Sequence, residues 1–75
     1  MVGKMHKEQQ QNLYDHLVNL ANEAHDNVAR PEASTMRHSR YGSHGSYTGT
    51  LRYLMHHNWI RKIKGDAHHA YKIVR

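Results

Sequence analysis

Seventy-five residues with a formal net charge of +5 set the limits: one small domain, a sparse core and a bias toward anionic partners. Five Leu, three Ile, four Val and no Phe leave little to bury, so a marginal fold is expected, helped by five Tyr, four Met and one Trp. The lack of Cys excludes disulfides and thiolate metal sites, and no apolar run approaches the roughly 20 residues of a membrane helix. A cytoplasmic protein without membrane contact is the expectation, and no signal-peptide core follows Met1.

Charge is segregated along the chain. Residues 1–35 carry Lys4, Lys7 and Arg30 against Glu8, Asp15, Glu23, Asp26 and Glu32, three cations against five acids. Residues 36–75 carry eight Lys and Arg against Asp66 alone. So basic a half-chain suits nucleic acid first and acidic lipid second.

In chain order, residues 1–8 read as an irregular lead-in with little to bury. A long helix is predicted from about Lys7 to His25 or Val28, because Leu13, Leu17, Leu20, Ala21, Ala24 and Val28 share one helical face. Glu8 would favour the positive end of its dipole. Pro31 ends any continuation and suits the first turn of a short second helix, Pro31 to His38. Within the Gly- and Ser-rich stretch 39–49, residues 41–45 read as a flexible loop that leads into a helix from Ser46 to about His57. Tyr47, Leu51 and Leu54 give that helix its buried stripe, and Asn58, tolerant of the left-handed conformation, ends it. Trp59, Ile60 and Ile63, a turn at Gly65-Asp66, then Tyr71, Ile73 and Val74 predict a two-stranded hairpin.

The stretch LRYLMHHNWIRKI, a Gly-containing hairpin tip and YKIV resemble the end of winged helix-turn-helix DNA-binding domains, over about the last thirty residues. The resemblance implies a small α+β fold, mostly α: three helices and a C-terminal two-stranded wing in a single domain. It departs from the family in the short second helix, where Met36 is the one large apolar residue and Arg37 and His38 occupy the neighbourhood of an expected Ala. It also implies duplex DNA binding, as a small transcriptional regulator or an excisionase-like architectural factor. Such minimal basic winged helices are often encoded by phages or mobile elements, which would place the protein with the nucleoid.

With Tyr47, Leu51 and Leu54 inward, Ser46, Thr48, Gly49, Arg52 and Tyr53 turn outward or to the flanks. Arg52 is suited to reading guanine, and Thr48 to a phosphate, a base edge or a thymine methyl. Arg37 and Arg40 would meet the backbone beside the helix, and Lys62, Lys64, His68 and His69 would lie on the wing. Gly49 weakens its own helix by about 1 kcal/mol, and close approach to a DNA backbone is one reason to keep it. Taken singly, each Lys or Arg is ordinary solvent decoration; their coincidence with the helix-hairpin pattern is what points to DNA.

Nine His include the pairs His56-His57 and His68-His69, but none has the spacing of a metal motif, so no metal or cofactor is expected. Histidines beside a phosphate backbone gain charge as pH falls toward about 6. No nucleophile stands in a catalytic pattern: Ser43, His44 and Asp26 have nothing to orient them, and an enzyme is not expected. The rival reading is a protein-interaction module or inhibitor that binds a partner protein through the same basic surface, and a homodimer is open under either.

Overall fold

The computed structural model describes residues 2–32, 34, 41, 46–65 and 69–75, and only the backbone of residues 2–6 and 46. Helix α1 runs Val2–Ala24, strand β1 Val28–Ala29, helix α2 Ser46–His56, strand β2 Ile60–Lys62 and strand β3 Tyr71–Ile73. The strands form one antiparallel sheet in the order β1-β3-β2. The class is α+β and mostly helical, with two helices among the described residues where the sequence predicts three. Pro31 and Glu32 are irregular, and residues 33 and 35–38 of the expected second helix lie outside the described residues.

Helix α1 begins six residues before Glu8, so the expected irregular lead-in is helical and Glu8 stands beyond the first turn. Extending a formed helix adds one hydrogen bond for each residue fixed, and needs no apolar pattern once the central turns are docked. Leu13, Leu17 and Ala21 are the buried stripe; Leu20 packs beside it, and Ala24 is exposed. The helix stops at Ala24 because His25 takes φ 60° while its N–H still donates to the Ala21 and Asn22 carbonyls.

Val28, expected at the end of this helix, belongs to a strand instead. The Asp26 carboxylate accepts from the Val28 N–H at 3.1 Å and from Arg30 at 2.8 Å, and Asn27 takes φ 63°. Short polar side chains that bond their own backbone compete with the helix here. Asn27 then anchors the new direction, donating to the Ile73 carbonyl at 2.9 Å while its own carbonyl accepts from the Ile73 N–H. The result is β1, a third strand beside the expected hairpin, with Val28 opposite Lys72 and Ala29 opposite Tyr71.

Helix α2 buries Tyr47, Leu51 and Leu54 as its spacing predicts, and Thr50 with them. Asn58 ends it at φ 61°, with the Trp59 N–H reaching back to the Leu54 carbonyl at 2.8 Å. That six-to-one bond around a left-handed residue is a Schellman stop, and it aims the chain directly into β2. Gly65 supplies φ 82° at the hairpin turn, and the Ile63 N–H bonds the Ala70 carbonyl at 2.9 Å. The two helices and the sheet close over Leu13, Leu17, Ala21, Ala29, Tyr47, Leu51, Leu54, Ile60 and Tyr71.

Trp59 is half-buried and organises the opposite edge. Tyr14 meets its ring edge-on at 5.1 Å, Tyr53 does so at 6.1 Å, and the Arg75 guanidinium lies 4.2 Å above it. The Tyr14 hydroxyl donates to the Arg75 carbonyl, and the N–H groups of Val74 and Arg75 donate to the Trp59 carbonyl. Arg75 is therefore committed to packing over an aromatic face.

Candidate nucleic-acid interface

At about 100° per residue, burying Tyr47, Thr50, Leu51 and Leu54 turns Thr48, Gly49, Arg52 and His56 outward on α2. All four are exposed. A Cβ placed on Gly49 would meet nothing within 4 Å, so no contact among the described residues requires glycine there. Gly49→Ala is expected to stabilise the domain by about 0.5–1 kcal/mol, measured by thermal melting.

The hairpin brings a second row of cations toward this helix. Cross-strand partners share a face of the sheet, and Lys62 stands opposite Tyr71, which in turn stands opposite Ala29. Lys62 is thus on the core-facing side of edge strand β2, and it is exposed. Arg61 stands opposite Lys72 on the other face, two like charges side by side in the ladder. Their repulsion costs a few tenths of a kcal/mol or more, and an anion on that face would relieve it.

Between α2 and the hairpin lies a cleft of about 200 Å³ lined by Tyr47, Thr48, Leu51, Arg52, Met55, Lys62, His69 and Tyr71. Four of the residues expected to touch DNA, Thr48, Arg52, Lys62 and His69, meet there. Gly49 stands beside them on the outer face of α2, and Lys64 is exposed at the hairpin turn. Tyr53 is half-buried on the far flank, against Trp59 and 4.2 Å from the His57 ring. Arg37, Arg40 and His68 lie outside the described residues, as does the side chain of Ser46. Tyr41 is half-buried and stacks on His16 at 4.9 Å.

Sequence reasoning missed Met55 and the tyrosine pair as part of this surface. Met55 is one helical turn beyond Leu51, at the border of the buried stripe, and that spacing was the signal for it. His56 joins Arg52 on the outer stripe by the same four-residue step.

Among the described residues, no carboxylate lines the cleft and neither Arg52 nor Lys62 is held in an ion pair. The Arg30–Asp26 pair lies elsewhere, after α1, and the Arg30 hydrogen bond holds the exposed Asp26 carboxyl below its ordinary value. Burial pushes the Tyr47 phenol up from 10.0 to about 12, with the neighbouring Tyr71 adding to it, and burial raises Tyr71 as well. Both phenols are neutral donors at physiological pH. A raised folded-state value means that their contribution to stability is intact below the unfolded pKa of 10.0 and is lost as pH climbs toward about 12. Alkaline titration should show tyrosinate absorbance and loss of helix rising together across that window.

Among the described residues, no group of three or more His, Asp or Glu is placed to hold a metal ion, and no helix is long and apolar enough to cross a membrane. The site defines a small α+β protein with a cationic cleft between a helix and a hairpin. No family model, curated protein or solved structure matches the chain.

Proposed function

We propose that the protein binds duplex DNA, with α2 entering a major groove and the hairpin lying along the neighbouring backbone. The role would be that of a small transcriptional regulator or an architectural factor of the excisionase type, without a catalytic step or a cofactor. The observation that carries this reading is the convergence of Thr48, Arg52, Lys62 and His69 on one face with no acid among them. Two further features support it. Gly49 is open to solvent and serves no internal contact, as a helix that approaches a backbone closely would need. Lys62 and Lys64 are both exposed along the hairpin, two cations placed to follow a phosphate backbone beside α2.

The test is an electrophoretic shift with random duplex at two salt concentrations. Affinity should fall steeply as salt rises, because each phosphate contact releases counterions. A protein inhibitor that uses the same surface need show no shift, and that outcome would favour the rival reading. Replacing Lys62 and Lys64 together with Ala should weaken binding to all duplexes alike and flatten the salt slope by roughly two phosphate contacts. Wild-type binding by that double variant would exclude the hairpin from the interface.

A further inference from the structure

We propose that the cleft between α2 and the hairpin binds a small organic anion, a single aromatic ring bearing a carboxylate or a phosphate. A backbone phosphate needs only cations and donors, but this cleft has an apolar side as well. Leu51 and Met55 line it next to Thr48, Arg52, Lys62 and His69. At about 200 Å³ it is smaller than the roughly 300–1,000 Å³ pockets that enclose drug-sized ligands, so it has room for one ring and its charged substituent.

The donors in the wall are well matched to an oxyanion. Tyr47 and Tyr71 line the cleft, and neither hydroxyl has a hydrogen-bond partner among the described residues. They remain neutral, which keeps them donors rather than competing anions. Lys62 stands on the core-facing side of an edge strand, where it guards that edge from pairing and leaves an exposed cation at the cleft. The neutralised partner of Arg52 and Lys62 is then the ligand's acid group, with its ring over Leu51 and Met55. These cations also belong to the proposed DNA face, so an occupied cleft would hold duplex away. The site itself stands without that reading.

The experiment is an amide-shift titration of the full chain, labelled with nitrogen-15, using phenyl phosphate, with inorganic phosphate and benzyl alcohol as the two half-ligands. Phenyl phosphate should give saturable shifts at Thr48, Arg52, Met55, Lys62 and His69, with a dissociation constant on the order of a millimolar or tighter. Each half-ligand should bind at least about tenfold more weakly. Arg52→Gln and Lys62→Gln change exposed residues, so a dispersed spectrum is expected for both, with affinity for phenyl phosphate reduced about fivefold or more. Shifts that fail to saturate, or that fall outside the cleft, overturn the proposal. So does equal binding of inorganic phosphate, or unaltered binding by both variants. A duplex shift assay on the same samples reports separately on DNA binding, so the two readings fail independently.

Discussion

Leu54→Ala is expected to destabilise the domain by about 2–5 kcal/mol and to abolish cooperative thermal unfolding. Leu54 is 0% exposed and sits where α1, α2 and β2 meet, among Leu13, Leu17, Leu51 and Ile60. Removing its branched end leaves a cavity that two short helices and a three-stranded sheet have few side chains to refill. A domain of this length has a total stability of only about 4–11 kcal/mol, so one such loss takes a large part of it. Its backbone also receives the Trp59 N–H that ends α2, so loosening here releases the stop that aims β2. A melt close to wild type would mean that α2 does not dock through this face.

The second large effect concerns specificity. Arg52→Lys is expected to retain non-specific duplex affinity and lose about 1–3 kcal/mol at the preferred site. Arg52 is exposed on the outer stripe of α2, one turn beyond Thr48 and three residues after the open Gly49. Its planar fork can pair with O6 and N7 of guanine, and an ammonium cannot reproduce that geometry. Pairing with Glu23 or Glu32 is the plainer fate for such a residue, but Arg52 has no ion pair among the described residues. Competition between preferred and scrambled duplexes measures the difference. An unchanged affinity ratio would rule out base reading by Arg52.

Much of the second half of the chain was legible because its signals are local. Tyr47, Leu51 and Leu54 mark one helical face, Asn58 stops the helix, and Gly65 turns the hairpin; each acts within a few residues of itself. The first half hid more. Val28 fits the helical period of Leu13 and Leu17 by coincidence, and the polar run His25-Asp26-Asn27 outweighs that period through left-handed backbone and an Asx bond. Strand β1 is two residues long, too short to alternate, and its pairing with β3 depends on residues more than forty positions away. The early start of α1 carries no apolar pattern at all, since elongation alone extends it.

The cleft was half legible. Thr48 and Arg52 follow from the period of α2, and the placement of Lys62 with Ile60 follows from strand alternation. That Lys62 comes round to face Arg52 is a consequence of how the sheet docks on the helix, which no local spacing encodes. The apolar side of the cleft, Leu51 and Met55, reads in sequence simply as core and core border.

Whether the face shared by α2 and the hairpin carries duplex DNA is tested most directly by amide-shift mapping with a random duplex at low salt. Shifts should concentrate at Thr48, Gly49, Arg52, Met55 and His56, at Arg61 to Lys64 and at His69, and fade as salt is raised. Shifts confined to the exposed side of α1, or none at any salt, would contradict DNA binding through this face.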